Sequence, residues 1–452
     1  MVNNIVKTVV NNETPVVNLL ESPRHSCTFG GAYTATNAVK GLVPILHTGP
    51  GCGWTNFFGL VAGSGGGFLG DLGAMQTPSS SLLEKHIVFG GEDKLRDLLN
   101  STNELMNGEL FVVIPGCIPT MIGDDIGMVV NEFRAKNNTP IIHVKTSGFN
   151  GNSYKGYELF LDAVIDQLLE EPVKVKKGLV NIIGIAPCQH IFWKGDLKEL
   201  QRTLELIGLE VNPIFGDLKG IESLKKIPEA ELNIVVNPWL GKEVADKLET
   251  KFGTPFIVQY GLPVGPRETE HFVQDVGKKL GIPREKIDQA IQKEIKEAYQ
   301  FYNYISNGLY MGLANSYFGV AAESNIAIGL TRFLTNDCGM MPTVVIITDD
   351  PPLKNRESIK QRLTEDINSI NKPDVIFEID TYNIEKILQN YPNLIVLGSS
   401  MEKYFSADKL SALHLTVSFP AYDRMLLRRT YSGFFGGINL LEDLMGKMSR
   451  PF

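Results

Sequence analysis

Three of the five cysteines in this 452-residue chain, Cys27, Cys52 and Cys117, stand close to glycine residues. A cysteine thiolate is a metal ligand as well as a nucleophile. Glycine has no Cβ, so a glycine turn lets the backbone approach a bulky inorganic group closely. The three cysteines are therefore candidate ligands of one metal-containing group.

The number of these cysteines limits what that group can be. A closed zinc site or an ordinary cubane cluster takes four protein ligands, and the chain contains no Cys-x-x-Cys pair. The simplest completion of the set is a metal cluster at a subunit boundary, with the remaining ligands supplied by another polypeptide. Free cysteine is also among the most buried residue types. The residues alone favour that packing role and leave the cluster open.

The elements that would position these cysteines are alternating strands and helices. Runs rich in Val, Ile and Leu recur along the chain, and strands that are apolar throughout are typical of parallel sheets covered on both faces. Ligand sites of such sheets lie beyond the C-terminal ends of the strands. Cys52 and Cys117 each follow such a run and are predicted site positions. The predicted strands are residues 43–46, 110–114, 140–144, 179–185, 232–236, 255–258, 343–347, 393–397 and 413–417.

The length of the chain and its linkers predict three domains, at about 150 residues each. A charged stretch interrupted by proline covers residues 170–177, and a long polar helix pattern at 283–304 leads to a new strand near Tyr317. We therefore predict an α/β fold of three doubly wound, Rossmann-like domains with mostly parallel sheets. Their predicted ranges are 1–175, which carries the three cysteines, 176–305 and 306–452.

Composition excludes several classes of protein. Hydrophobic residues make up 43% of the chain and charged residues 21%, which is typical of a folded globular protein. The net charge is −8, so we expect no nucleic-acid partner, because phosphate neutralisation needs a basic surface. The sequence has no uninterrupted apolar stretch long enough to predict a membrane span. Five cysteines are too few for a disulfide framework. We expect a cytoplasmic protein with no membrane partner.

Motifs along essentially the whole chain make it resemble component 1 of the nitrogenase superfamily, the molybdenum-iron protein and its relatives. The separation of Cys27 from Cys52 matches the family's first two cluster cysteines, and the longer separation of Cys117 reflects a glycine-rich insert. The motifs that carry the resemblance are residues 27–32, 47–52, 88–91, 116–117, 122–126, 147–151, 419–424 and 431–437.

The resemblance implies a shared cluster. In that family two homologous chains, α and β, each give three cysteines to an [8Fe-7S] P-cluster, and Cys27, Cys52 and Cys117 match those ligand positions. We expect them to hold half of such a P-cluster-like centre, or of a [4Fe-4S] cluster, with no catalytic residue in this chain. The implied partners are an α-type subunit in an α2β2 heterotetramer and an ATP-dependent reductase that carries a [4Fe-4S] cluster. The implied substrate is dinitrogen or, as for the methylthio-alkane reductases, a C–S bond.

The resemblance is to the β type of chain. The family's α chain binds the catalytic cofactor through a cysteine in its second domain and a histidine near its C-terminus. Here residues 232–240 contain no cysteine, and the comparable C-terminal position falls near Phe419. In molybdenum enzymes a β-chain serine can ligate the oxidised P-cluster. That position falls on Gly148, with Ser147 adjacent, so we do not expect the same ligation here.

Two other functions stay open. One is the β-like half of a cofactor-assembly scaffold that also resembles component 1. The scaffold's β-like chain typically supplies fewer cluster cysteines, so retention of all three favours the enzyme. The other is a metal-free, doubly wound protein that binds a small molecule or transfers a glycosyl group at its strand ends.

Weaker signals near the cysteines have two interpretations each. Residues 65–70 fit the pattern G-x-G-x-x-G, but the context favours a flexible loop over a nucleotide site. Residues 122–126 predict a helix start, or support of the cluster loop by Asp124 and Asp125. His47 is either a structural histidine or a hydrogen-bond donor to a thiolate.

Signals elsewhere in the chain favour structural roles. Cys188 and His190 offer too few ligands for a metal, so we expect a loop, and Cys338 is predicted to lie in the core or in a turn. A basic patch near the C-terminus lies next to an acidic residue, which predicts surface or interface ion pairs. The patch consists of Arg424, Arg428 and Arg429, and the acidic residue is Asp423.

Overall fold

The computed structural model describes residues 20–65, 77–172, 174–216, 220–308 and 312–448. Strands and helices alternate along these ranges, and every ladder between the named strands is parallel. Most of the strands are buried on both faces, which is why they are apolar throughout. The predicted α/β fold with doubly wound parallel sheets is confirmed.

The first sheet has the strand order β1-β2-β3. Its helices cover both faces, and a π-helical turn at Phe57–Ala62 extends the second helix. A 3-10 turn at Gly148–Asn150 precedes the last helix of this part of the chain. The elements are α1 (Thr28–Asn37), β1 (Leu42–His47), α2 (Pro50–Asn56), α3 (Glu84–Phe89), α4 (Glu92–Leu105), β2 (Leu110–Pro115), α5 (Cys117–Ile122), α6 (Ile126–Lys136), β3 (Ile141–His143) and α7 (Ser153–Gln167).

The second sheet has the order β5-β4-β6-β7, so the chain reverses its direction of winding beside β4. Two further helices follow this sheet, and the second of them is the long polar helix that the sequence predicts. The elements are β4 (Lys176–Ile183), α8 (Trp193–Glu205), β5 (Glu210–Asn212), α9 (Ile221–Lys225), β6 (Ala230–Val235), α10 (Lys242–Phe252), β7 (Phe256–Val258), α11 (Gly265–Lys279) and α12 (Arg284–Gly308).

The third sheet has the order β10-β9-β8-β11-β12, with the same kind of reversal between β8 and β11. The final helix packs back against α11 and α12. The elements are β8 (Tyr317–Ala322), α13 (Ser324–Asn336), β9 (Met341–Ile347), α14 (Leu353–Thr364), β10 (Asp374–Phe377), α15 (Thr381–Leu388), β11 (Ile395–Gly398), α16 (Ser400–Leu410), β12 (Leu413–Thr416) and α17 (Gly436–Met448).

One apolar cluster connects the three sheets. It includes Val112 of the first sheet, Ile182 of the second and Val320 of the third, all at 0 to 1% exposure. The three sheets fall within the three predicted domain ranges, but a shared core does not fix boundaries, so those ranges stay a prediction. Of the helices that the structure describes, none is long and apolar enough to cross a membrane.

Candidate metal-cluster site

Cys27 starts the helix that carries the first glycine motif. It is the N-cap of α1 in an extended conformation, and its carbonyl oxygen accepts a hydrogen bond from the backbone N–H of Gly30 at 3.0 Å. Its side chain makes no capping hydrogen bond. An antiparallel bridge joins Cys27 to Asn152, just before α7. The backbone of Cys27 is thus fixed from two sides, and its half-buried thiol takes no part in fixing it.

Gly148 lies against Cys117 and Cys27. Its backbone N–H donates a hydrogen bond to Sγ of Cys117 at 3.1 Å. A Cβ at position 148 would lie 2.8 Å from Sγ of Cys117 and 4.0 Å from Sγ of Cys27. The structure therefore brings these two predicted ligands to one glycine, and their sulfurs have space because residue 148 has no side chain.

Cys52 is connected to this pair through its helix. It lies in α2, and its carbonyl oxygen accepts a hydrogen bond from Nδ2 of Asn56 at 2.8 Å. The Oδ1 atom of Asn56 accepts a hydrogen bond from Ser26, the residue before Cys27. A two-residue link therefore joins the Cys52 helix to the Cys27 backbone.

Two further side chains hold the Gly148 loop, and the sequence motifs did not single them out. The hydroxyl of Thr28 donates to the carbonyl oxygen of Ser147 at 2.6 Å. Asn152 caps α7 by accepting hydrogen bonds from the backbone N–H groups of Tyr154 and Lys155. The first bond joins residues that are far apart in sequence, and the second is an ordinary helix cap that many asparagines form. No sequence motif therefore indicated either of them.

The donor set fits a polynuclear group that is held from one side. The three candidate thiols are half-buried, and a glycine backbone N–H already points at one sulfur. Within the ranges described above, no three His, Cys, Asp or Glu side chains are grouped tightly enough to hold a metal ion. Thiolates are the usual protein ligands of iron-sulfur clusters, so the three thiols are donors of the type that such a group takes.

A comparison with protein families decides which class of protein carries this arrangement. The family described as nitrogenase component 1 type oxidoreductase matches residues 27–449, a range that begins at the first candidate ligand. The chain belongs to the nitrogenase component 1 family. This confirms the superfamily, and the oxidoreductase class, that the motifs predicted.

Relatives within the nitrogenase component 1 family include several β chains. The chain is 25% identical over 458 residues to the nitrogenase iron-iron protein beta chain of Rhodobacter capsulatus, covering 94% of this chain and 92% of that one. It is 26% identical over 438 residues to the vanadium-iron protein beta chain of Trichormus variabilis, covering 89% and 88%. The predicted likeness to β-type chains is confirmed.

A cofactor-biosynthesis protein is a relative of similar identity. The chain is 24% identical over 441 residues to the nitrogenase iron-molybdenum cofactor biosynthesis protein NifE of Methanococcus maripaludis, covering 95% of this chain and 83% of that one. A solved structure described as nitrogenase Cp1 at pH 6.5 has a TM-score of 0.79 at 19% identity, covering 97% of this chain and 94% of that one. That likeness shows the shared fold.

The two segments that the sequence comparison singled out, residues 232–240 and the region of Phe419, are packed with aromatic side chains. Trp239 is 7% exposed, and its indole N–H donates to Asp349 at 2.8 Å. Phe419 is 2% exposed, and its ring stacks on that of His25. Tyr154 contacts the rings of both His25 and Trp239. Aromatic side chains therefore occupy the interior between the two compared segments.

The other predicted signals have structural partners. Asp125 is the N-cap of α6 and accepts a hydrogen bond from the backbone N–H of Met128 at 2.8 Å, so the predicted helix start is confirmed.

Cys188 is fully buried, and burial raises the pKa of its thiol to about 12, which keeps it protonated at neutral pH. His190 bonds to Asp196 at 2.6 Å. Cys338 is buried between α13 and β9.

Two predicted features differ from the expectation or fall outside the structure. Arg424 and Arg429 both bind Asp443 at 2.8 Å, because α17 brings that carboxylate beside them. Asp423, the expected partner, instead pairs with Lys403 of α16 at 3.0 Å. Of the glycine pattern at 65–70, only Gly65 lies within the described residues, so the nucleotide-site interpretation is not addressed.

Exposed apolar side chains surround the cysteine-bearing helices. Trp54 of α2 is 67% exposed, Phe89 of α3 is 88% exposed, and Met121 of α5 is 71% exposed. Val88 is 73% exposed. We call these four residues the cluster-side apolar surface. A concentration of exposed apolar side chains is typical of a surface that binds another protein.

Proposed function

We propose that this chain is the β-type subunit of a nitrogenase-like reductase, in which Cys27, Cys52 and Cys117 hold half of an inter-subunit iron-sulfur cluster. The single observation that carries the proposal is the position of Gly148 against Cys117 and Cys27, where a side chain would occupy the space of the sulfurs. The bound cluster, [8Fe-7S] or [4Fe-4S], would relay electrons toward the catalytic cofactor of an α-type subunit.

The Gly148 loop contributes electrostatically to this role. A backbone N–H that points at a thiolate stabilises its negative charge, and hydrogen bonds to cluster sulfurs are a principal means by which proteins set reduction potentials. The backbone N–H of Gly148 donates such a bond to Sγ of Cys117 at 3.1 Å. In this proposal the loop therefore supports Cys117 as a ligand.

The partners in this proposal follow from the incomplete ligand set. Three cysteines leave at least one ligand to come from elsewhere, and the cluster-side apolar surface supports contact with other protein chains. We propose an α-type subunit in an α2β2 heterotetramer and a separate ATP-dependent reductase with a [4Fe-4S] cluster. The five cysteines are free thiols, which agrees with the proposed reducing environment of the cytoplasm.

The chain's interior supports a role without a catalytic cofactor of its own. Trp239, Tyr154 and Phe419 occupy the space between the segments that bind the cofactor in α chains. Substrate reduction would therefore take place in the partner. The proposed substrate is dinitrogen or a C–S bond, and the choice depends on the cofactor of the α-type chain.

The test is the iron content and the electron paramagnetic resonance spectrum of the complex, purified without oxygen after co-expression with an α-type chain of the nitrogenase component 1 family. The expected result is an iron-sulfur signal that Cys52→Ala weakens or removes. Cys338→Ala is the matched control, because that buried thiol lies outside the set, and it should retain the iron of the unmodified complex. Unchanged iron in Cys52→Ala would remove the proposal.

The second candidate function is the β-like half of a cofactor-assembly scaffold, which the 24% identity to NifE favours. Both functions use the same fold and a cluster at the subunit boundary, so iron content does not separate them. Substrate reduction by the purified complex supports the reductase. Transfer of a cofactor to another protein without substrate reduction supports the scaffold.

A further inference from the structure

His47 contacts both ends of the short helix that carries Cys117. Its carbonyl oxygen accepts a hydrogen bond from the backbone N–H of Gly116 at 2.9 Å, immediately before α5. Its Nε2 atom lies 3.1 Å from Oδ2 of Asp124, two residues after the end of α5. One residue at the end of β1 therefore fixes the start and the end of α5.

The side-chain contact is fully enclosed. The side chain of His47 is 0% exposed and that of Asp124 is 3% exposed. Burial lowers the pKa of His47, so the imidazole is neutral at neutral pH. Because the facing group is an acceptor, the proton lies on Nε2 and is donated to Asp124, and Nδ1 is buried without a hydrogen-bond partner.

Asp124 is itself held by a second element. Its two carboxylate oxygens accept the backbone N–H of Gly91, the N-cap of α4, at 3.0 and 3.2 Å. A Cβ at position 91 would lie 2.6 Å from Oδ2 of Asp124 and 3.2 Å from Cε1 of His47. The absence of a side chain at position 91 therefore makes room for the pair.

Helix α5 needs such contacts because it is only six residues long. A helix of this length is not stable by itself, so its orientation depends on what holds its ends. The same strand end also leads, through the turn after His47, into α2 and Cys52. The orientation of α5 relative to His47 therefore sets the position of Cys117 relative to Cys52.

We propose that His47 and Asp124 form a positioning pair for the cluster: their hydrogen bond fixes α5 so that Cys117 presents its sulfur in register with Cys52. This inference rests on the proposed function. Neither residue touches the metal in this proposal, and both act through the helix between them. Partners of this kind, one step removed from the ligands, typically change metal affinity by about 10- to 100-fold when they are replaced.

The experiment compares variants of the complete complex with the α-type chain, prepared without oxygen. His47→Ala and Asp124→Ala should each lower iron retention against a chelator by about 10- to 100-fold and change the cluster's resonance spectrum. The double variant should lose no more than Asp124→Ala alone, because that replacement already removes the bond to His47 together with the bond from Gly91. Losses that add independently would overturn the proposal.

Two conservative variants separate positioning from general stability. His47→Gln keeps an N–H donor near the position of Nε2 and should restore the iron and the spectrum. Asp124→Asn keeps one acceptor oxygen that can face Nε2 of His47, so it should retain more iron than Asp124→Ala. If glutamine at position 47 does not restore the iron and the spectrum, or if Asp124→Asn retains no more iron than Asp124→Ala, the proposal is wrong.

The matched control is Asp125→Asn. It replaces the neighbouring carboxylate, which caps α6, with another good capping residue, and it should keep the iron and the spectrum. An unmodified complex without an iron-sulfur signal would contradict the proposed function itself. An unmodified complex with the signal, in which the His47 and Asp124 variants behave normally, would contradict only the positioning pair.

Discussion

The backbone N–H of Gly148 donates to Sγ of Cys117 at 3.1 Å, while the missing side chain of the same residue leaves room for that sulfur. Position 148 therefore acts on the thiol through both its N–H and its lack of a Cβ. The resemblance to molybdenum-type β chains implies that their cluster-ligating serine falls at this position, and a glycine has no hydroxyl oxygen to serve as a ligand.

We expect Gly148→Ala to move the thiol of Cys117. The new Cβ would lie 2.8 Å from Sγ, so the sulfur must rotate and its hydrogen bond to the backbone N–H is lost. Because such hydrogen bonds tune cluster potentials, the midpoint potential should shift in a redox titration. Ser147→Ala is the comparison and should have no effect. A shift in that variant alone would transfer the role to Ser147.

We expect Gly156→Ala to separate α1 from α7. A Cβ at position 156 would lie 2.0 Å from the carbonyl oxygen of Thr28, next to Cys27, and backbone atoms cannot move aside as a side chain can. The loss in the free energy of unfolding should be about 3 kcal/mol or more, measured by urea unfolding. The iron content of the complex should fall with it.

The control for Gly156 is Gly446→Ala in α17. Position 446 is exposed, and a Cβ there would meet no atom within 4 Å. Replacing a helical glycine by alanine at such a site should raise stability by up to about 1 kcal/mol. Equal destabilisation in both variants would show that helix propensity, and not the contact between α1 and α7, decides the result.

We expect Glu323 to make stability depend on pH. Burial raises the pKa of its carboxyl group from 4.5 to about 7, although His190 lies 3.6 Å away and Ser418 donates a hydrogen bond to it. The neighbouring Asp349 contributes to the increase. Between these two pKa values the folded chain holds a proton that the unfolded chain has lost, so stability decreases as the pH rises from 4.5 to 7.

The variant Glu323→Gln removes this titration. Relative to the unmodified chain, it should gain roughly 3 kcal/mol between about pH 4.5 and pH 7, measured as the free energy of unfolding at several pH values. Glu357→Gln on the exposed face of α14 is the control, and its free energy of unfolding should depend on pH in the same way as that of the unmodified chain. Parallel curves for both variants would contradict the shift assigned to Glu323.

We expect Phe89→Asp to weaken the complex and not the fold. Phe89 is 88% exposed on α3, which packs on the Cys117 helix, so a charge there would be desolvated by any partner that covers the cluster-side apolar surface. The loss should reach about 2 kcal/mol, or roughly 30-fold in affinity. Co-purification with the α-type chain and reductase-driven reduction of the cluster measure it.

The control for Phe89 is Ile370→Asp. Ile370 is at least as exposed as Phe89, and it lies in the segment between α14 and β10, which are elements of the third sheet and its helices and not of the part that carries the three cysteines. Its replacement should leave both measurements unchanged. Normal co-purification and normal reduction in Phe89→Asp would show that the cluster-side apolar surface does not bind either partner.

The sequence predicted the strands that lie in apolar runs, including the short β3 and β7. Strands β5 and β10 were not predicted, because each begins with an acidic residue that interrupts the apolar pattern. The β5 strand pairs with β4, and β10 pairs with β9. Their pairing depends on neighbours that a local pattern does not contain.

The candidate site was predictable as a set of residue types and not as a geometry. Glycine motifs and strand ends pointed to Cys52 and Cys117, because the chemistry of turns is local. The contact of His47 with Asp124 joins residues that are distant in sequence, and only the parallel pairing of β1 with β2 brings them together. The motifs therefore identified both residues while leaving their relationship undetermined.

Under the proposed function, the bridge between Cys27 and Asn152 implies an order of events during synthesis of the polypeptide. A ribosome that has released the chain only as far as α5 has already delivered all three thiols, but not the loop against which two of them rest. Iron delivered at that stage would meet thiols that do not yet have the Gly148 loop beside them. We therefore expect assembly factors to load metal only after the segment around residue 152 has left the exit tunnel, and a shorter nascent fragment to be a poor acceptor.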